Sequence, residues 1–134
     1  MTTDDLNATL SGRRDLDPRH AILRVRPDAL PVPSFAPGQF IQIGLPGPAG
    51  APMAKRSYSI ASAADDREGY ELFVALVENG HLTPELWKLG SGDRLWVSPR
   101  AQGFFTLERV PPGKDLVLVA TGTHRANEPD ELEA

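Results

Sequence analysis

Short apolar or alternating runs, each bounded by Pro and Gly, constrain this chain more than any other feature. Thirteen prolines and twelve glycines fall in 134 residues, and they punctuate it too often for long helices. Between them, Ala21 to Arg26, Phe40 to Leu45, Arg56 to Ser62, Tyr70 to Val77, Arg94 to Ser98 and Phe104 to Leu107 read as strands. Six short strands suggest an all-β closed barrel, since closure is the economical way for a small domain to avoid unpaired edges. One short helix is expected where Thr83-Pro84 precedes Glu85-Leu86-Trp87-Lys88-Leu89, with Thr83 as N-cap, Pro84 at the first helical position and Gly90 as the stop. Leu116-Val117-Leu118-Val119-Ala120 differs from the other runs. It is apolar without alternation, the pattern of a strand buried on both faces. The stretch Pro46 to Pro52, with Gly47, Pro48 and Gly50, reads as an exposed loop.

Composition narrows the functional classes. At 40% hydrophobic and 24% charged, a chain this long buries one core and not two. A net charge of -4 and a pI near 5.3, with no basic run, give no electrostatic reason to expect nucleic acid. The absence of cysteine excludes disulfides, thiolate metal sites and iron-sulfur clusters held by this chain. Three scattered histidines, His20, His81 and His124, lack metal-ligand spacing, so no metal is expected. The N-terminus has neither a basic start nor an apolar run, and no stretch is long enough to span a membrane. A cytoplasmic protein is expected.

Chemistry concentrates at Arg56-Ser57-Tyr58-Ser59 and Gly80-His81-Leu82-Thr83-Pro84. The strand period of two puts Arg56 and Tyr58 on one face. A guanidinium offers paired donors to phosphate, and a tyrosine ring stacks on a flat heterocycle. Free N-H groups at the Thr83-Pro84 helix start would serve a pyrophosphate. Together they suit a dinucleotide with a flat end. Each residue also has an ordinary reading: Arg56 as a surface arginine with an acidic neighbour, Tyr58 as core.

These segments, with four more, resemble the ferredoxin-NADP reductase family, specifically its bacterial ferredoxin or flavodoxin reductases. Pro37-Gly38-Gln39-Phe40 is similar to the family's P-G-Q-F, Arg56-Ser57-Tyr58-Ser59 to R-x-Y-S, and Gly80-His81-Leu82-Thr83 to the G-x-L-[ST] pyrophosphate segment. Gly92-Asp93 resembles its G-D turn, Gly103-Phe104-Phe105-Thr106-Leu107 its G-F-F-x-L strand, and Ala120-Thr121-Gly122-Thr123 the A-T-G-T that opens its nucleotide domain. Six motifs in family order are hard to obtain by chance. The resemblance implies a six-stranded antiparallel Greek-key barrel, riboflavin-synthase-like and FAD-binding of the FR type, and an oxidoreductase in which FAD passes electrons between NADPH and ferredoxin or flavodoxin.

It further implies that Arg56, Ser57, Tyr58, Ser59, Phe73, His81, Leu82, Thr83 and Thr123 bind the cofactor, with Tyr58 and Ser59 at the reacting end. Strand alternation points Ser59 away from Arg56 and Tyr58, so its role comes from the resemblance alone. Phe73 reads equally well as core. His81 is expected to contribute its backbone N-H, and Thr123 adjoins the point where the resemblance stops. FAD is preferred to FMN because the 80–84 segment has no task without a second phosphate and an adenosine.

After Thr123 the family pattern ends, and His124 to Ala134 is acidic and polar with one Leu. The expected organisation is a disordered N-terminus (1–7), an FAD-binding barrel (8–114), the first strand and turn of a Rossmann-like NADP-binding domain (115–123) and a disordered tail (124–134). A truncation or frameshift at His124 is the expectation, and with it weak or absent NADPH oxidation, because a bound hydride donor would no longer be oriented. Whether the chain is an active enzyme is open. The alternatives are a non-catalytic flavin-binding or inactive truncated module, and a generic β-barrel without a redox role.

Overall fold

The computed structural model describes residues 5–48 and 53–120. Thr123 and the tail expected from His124 onward lie outside them. The architecture is all-β: one six-stranded antiparallel sheet in the order β4-β3-β6-β1-β2-β5, curled toward a barrel. The strands are β1 Ala8–Asp17, β2 His20–Pro27, β3 Phe40–Leu45, β4 Ala54–Ser59, β5 Tyr70–Ala75 and β6 Arg94–Val97. Alternation drives the curl. Ala21, Leu23 and Val25 of β2, Ile41 and Ile43 of β3, and Tyr70, Leu72 and Val74 of β5 turn inward onto one core with Leu10, Leu95 and Val97. Leu82 and Leu86 close one end of it.

Three expectations need correction. First, β1 was absent from the strands read in the sequence. Only Ala8 and Leu10 of its ten residues are buried hydrophobics, and Ser11–Asp17 is polar apart from an exposed Leu16, so it carries little apolar signal. Its backbone ladder with β2, from Ala8 opposite Pro27 to Asp17 opposite His20, holds it instead. Asn7 extends this end by donating its side-chain amide to the Val97 carbonyl (2.9 Å) and accepting the Val97 N-H (2.8 Å).

Second, Phe104 to Leu107 is not a strand. Pairing stops at the Gln102–Phe40 bridge, Gly103 takes φ +115°, and the chain continues as tight turns into a single 3-10 turn, Leu107–Arg109. Phe105 is 81% exposed. What fixes this segment is Gly38, at φ +100°, where a Cβ would lie 1.7 Å from the Phe105 carbonyl oxygen. Gln39 completes the junction, its side chain accepting the Ala36 N-H (2.9 Å) and donating to the Gly103 carbonyl (3.2 Å).

Third, Leu116 to Ala120 forms no strand. The run has no ladder partner among the described residues, and Val117 is 87% exposed. An apolar run needs a neighbouring strand to become one, and none of the six strands lies beside it.

The helix is also shorter and differently started than expected. Helix α1 is Thr83–Leu86; Leu82 occupies the cap position without a side-chain cap bond, and Pro84 lies in the first turn. Its C-terminal carbonyls are held from β1. Arg13 donates to the carbonyls of Trp87 and Leu89, both at 2.9 Å, with its guanidinium 5.1 Å from the Trp87 ring centre. Trp87 in turn donates its indole N-H to the Pro18 carbonyl (3.1 Å). The β1–β2 hairpin therefore sets where α1 sits.

Two predictions follow from these contacts. Gly38→Ala lowers unfolding free energy by about 2 kcal/mol or more, read by urea denaturation, because it combines a disallowed φ with a backbone clash. Arg24 grips both oxygens of Asp66 at 2.8 and 3.0 Å; that grip, with the Glu68 N-H, holds the Asp66 carboxyl below its ordinary value of 3.8. A lowered folded-state value means the contribution is complete above the ordinary value and is lost as pH falls through the lowered one. Asp66→Asn therefore melts lower than wild type at neutral pH, and the two melting curves converge on acidification below about pH 4.

Candidate functional site

Among the described residues, the seam between β4 and β5 carries one bridge, just past the end of β4. Ile60 bridges Leu72, and the Ala61 N-H donates to the Glu71 carbonyl at 2.8 Å; toward Ala54 the two strands separate. A cleft of about 290 Å³ occupies that separation. Arg56, Ser57 and Tyr58 of β4 form one wall, and Ala75, Val77 and residues 80–83 form the other. A larger, more open cleft of about 920 Å³ adjoins it, shares Arg56, Gly80 and His81, and runs on past Pro46, Met53, Lys55 and Glu85.

Pairing with β3 places Arg56 and Tyr58 side by side. Tyr58 lies opposite Ile41 and Arg56 opposite Ile43, so both belong to one face of the sheet. Tyr58 is half-buried against the core, and burial raises its phenol's pKa above the ordinary value while the Arg56 charge opposes that rise. The phenol stays neutral at physiological pH and offers a flat, uncharged wall. Arg56 is exposed; one guanidinium nitrogen donates to the neighbouring Lys55 carbonyl at 2.6 Å, which leaves its remaining donors directed to no described group.

The opposite wall is made by a turn. The Gly80 N-H donates to the Val77 carbonyl at 2.9 Å, and a Cβ on Gly80 would meet that oxygen at 3.1 Å and the Val77 side chain at 3.3 Å. The Thr83 hydroxyl accepts the Val77 N-H (2.8 Å) and donates back to the Val77 carbonyl (3.1 Å). The N-H groups of His81, Leu82 and Thr83 meet no acceptor among the described residues, although Leu82 is only 1% exposed. Buried N-H groups without partners are rare, and a ligand acceptor resolves them. Beside an unsatisfied guanidinium, that donor set fits the phosphates of a flavin dinucleotide, and the Tyr58 ring fits its flat end.

The structure thus brings together Arg56, Ser57, Tyr58, His81, Leu82 and Thr83 from the sequence-derived set. Ser59, exposed at the end of β4, lines neither cleft. Phe73 also lines neither; it stands opposite Ile22 in the β2–β5 ladder with its ring 5.9 Å from that of His20. Thr83 was read as a helix cap, and here its hydroxyl is spent on Val77. The sequence reading missed Ala75, Val77, Met53, Lys55 and Glu85 as cleft residues. Only Val77 carried a usable signal, as an apolar residue directly before the Glu78-Asn79-Gly80 turn. Among the described residues no cluster of three His, Cys, Asp or Glu could hold a metal ion, and no helix is long and apolar enough to cross a membrane.

Residues 8–103 match the family described as oxidoreductase FAD-binding domain. The chain is 44% identical over 89 residues to ferredoxin-NADP reductase A of Sorangium cellulosum, covering 66% of this chain and 31% of that protein. It is 34% identical over 93 residues to a flavodoxin/ferredoxin-NADP reductase of Buchnera aphidicola, covering 69% and 36%. Among solved structures, it superposes on a ferredoxin NADP+ reductase from Neisseria gonorrhoeae with bound FAD and NADP at a TM-score of 0.78 and 27% identity, covering 96% of this chain and 50% of that one. The chain spans about a third of the length of the curated relatives it matches. Over most of its length, then, this chain belongs to the oxidoreductase FAD-binding domain family, and the relatives it matches are ferredoxin-NADP reductases.

Proposed function

We propose that this chain holds FAD across the two joined clefts and is the flavin-carrying part of an oxidoreductase that passes electrons between NADPH and ferredoxin or flavodoxin. One observation carries the reading: the exposed Arg56 guanidinium and the N-H groups of residues 81–83, which meet no acceptor among the described residues, line the same gap as the Tyr58 ring. FAD, when bound, supplies the exchange between two-electron hydride chemistry and single-electron transfer. The chain's own residues bind and orient. Arg56 offers a permanent charge and paired donors to the phosphates, and the 81–83 backbone adds donors that need no reorganisation. Tyr58 offers a flat apolar wall, and Ala75 and Val77 keep the facing side apolar.

The length of the joined clefts, with Met53, Lys55 and Glu85 at the far end, gives the adenosine half room that FMN would not use. Ser59 and Thr123 are proposed near the reacting end on family likeness, with Phe73 as an outer aromatic contact. A cytoplasmic site of action goes with soluble electron carriers as partners. The domain division proposed is a barrel over 8–114 followed by a segment that belongs with nicotinamide binding.

The direct test is to add FAD to the purified chain, desalt it and record the visible spectrum. Retained oxidised-flavin absorbance is the expected outcome; a folded but colourless protein would sink the proposal in favour of a non-catalytic module. Arg56→Ala weakens FAD binding by roughly tenfold to a hundredfold, the usual weight of charge-assisted hydrogen bonds. Its melting temperature without FAD stays at the wild-type value, because the bond lost among the described residues is to an adjacent carbonyl. Fluorescence titration and a thermal melt check both halves.

A further inference from the structure

We propose that Asp17, at the exposed tip of the β1–β2 hairpin, is a positioning residue for the FAD cleft, acting through the Pro18 and Arg19 carbonyls. The inference rests on the FAD reading above and extends it to a residue that lines neither cleft. It starts from how the cleft's second wall is attached to the barrel. Among the described residues, every hydrogen bond that leaves the stretch from Leu76 to Leu89 ends on Arg13, Pro18 or Arg19. At the entry, the Leu76 N-H donates to the Arg19 carbonyl at 2.7 Å. At the exit, the Trp87 indole N-H donates to the Pro18 carbonyl at 3.1 Å, and Arg13 donates to the Trp87 and Leu89 carbonyls. Two consecutive carbonyls of one turn thus hold both flanks of the wall. Leu82 and Leu86 add apolar anchorage, which has no direction of its own.

Asp17 aims those two carbonyls. One of its oxygens accepts the Arg19 N-H at 2.7 Å, and His20 Nδ1 stands 2.9 and 3.0 Å from the pair. The Arg19 N-H and the Pro18 carbonyl belong to one planar peptide unit, so a carboxylate that fixes the first also orients the second. The Arg19 carbonyl shares its plane with the His20 N-H, and His20 is tied to the same carboxylate through its ring. The Arg19 N-H, and after it His20, hold the Asp17 carboxyl below its ordinary value of 3.8, so it accepts as a full charge at neutral pH. The cleft wall is therefore set before any ligand arrives, from a turn some sixty residues away in sequence.

Charge separates positioning from plain electrostatics. The phosphates of FAD are anionic, so deleting a carboxylate from the chain favours their binding by Coulomb's law. Positioning predicts the opposite sign. The test uses the full chain, FAD as the probe, and the Asp17→Ala and Asp17→Asn variants; the Asp17 side chain is 51% exposed, so neither disturbs the core. Asp17→Ala removes charge and acceptor together and should weaken FAD binding roughly threefold to tenfold. Asp17→Asn loses the charge, but its amide oxygen still accepts the Arg19 N-H, and it should bind within about twofold of wild type. Hydrogen exchange without FAD reads the attachment itself. In Asp17→Ala the Leu76 N-H should exchange faster, while amides in the middle of β2 and β5 keep wild-type rates.

Unchanged or tighter FAD binding in Asp17→Ala would overturn the proposal and leave FAD binding itself intact. Equal losses in the alanine and asparagine variants would overturn it too, since the acceptor would then not be what matters. Faster exchange spread evenly over β2 and β5 would mean that Asp17 only stabilises the sheet, and the positioning role would fall. A wild-type chain that never retains FAD fails the binding reading, and the role toward that cofactor goes with it; Leu76 exchange would still show whether Asp17 fixes the wall. Should Asp17→Ala not fold, Trp87→Phe takes its place, because it deletes the indole donor to Pro18 and keeps a ring beneath Arg13. Wild-type affinity there would overturn the proposal as well.

Discussion

The incomplete seam between β4 and β5 is the constraint on which the site depends. A small sheet gains by closing, because every open edge leaves backbone groups unpaired. Here closure goes as far as the Ile60–Leu72 bridge and stops. Continued pairing would have brought the rest of β4 against β5 and filled the space where Arg56, Tyr58 and Val77 now line a cleft. The turn after β5 borders the gap: Val77 is bonded to Thr83 there, and Leu82 and Leu86 join the core just beyond it. The edge left on β4 is bordered by Lys55 and Arg56, charges that discourage another strand from adding there.

Keeping a gap open requires rigidity on either side of it, and the structure supplies this from distant parts of the chain. Arg13, on a strand with almost no apolar pattern, fixes the C-terminal turn of α1 through backbone carbonyls. On the other flank, Gly38 and Gln39 bind the 102–106 segment to the start of β3, the strand that carries β4. Two motifs separated by more than sixty residues, at Gln39 and Gly103, thus form one junction. Their residue types are explained by contact with each other. Neither touches the cleft.

How much of this was legible in the sequence depended on where each signal comes from. Strands whose side chains face the core announced themselves: Phe40–Leu45 has the bounds read from alternation, and β2, β5 and β6 differ only at their ends. β1 did not, because a ladder is made by backbone atoms and Ser11–Asp17 needs no apolar face to join one. The pairing of Arg56 with Tyr58 was legible from the strand period alone. The role of Thr83 was not. A threonine before a proline and an acidic residue carries a capping signature, yet the same hydroxyl can serve any N-H within reach, and Val77 reaches it first. Local sequence cannot rank those acceptors and donors, since the winner is set by where β5 ends.

Leu116 to Ala120 shows the same limit in the opposite direction. The run has the composition of a strand covered on both faces, and that composition is a statement about neighbours, not about the five residues themselves. Among the described residues the run has no strand beside it, so it joins no ladder and its side chains meet solvent. Phe104, Phe105 and Leu107 are exposed as well, held there by Gly38 and by the stacking of Arg109 on Phe104 at 5.2 Å. None of these residues contributes to the core beneath the cleft. The core cluster is made without them, with Ile43, Leu95 and Val97 among its members. The apolar pattern after Gly113 is therefore surplus to the flavin-binding fold, which is why alternation and burial, so reliable for the six strands, describe this run so poorly.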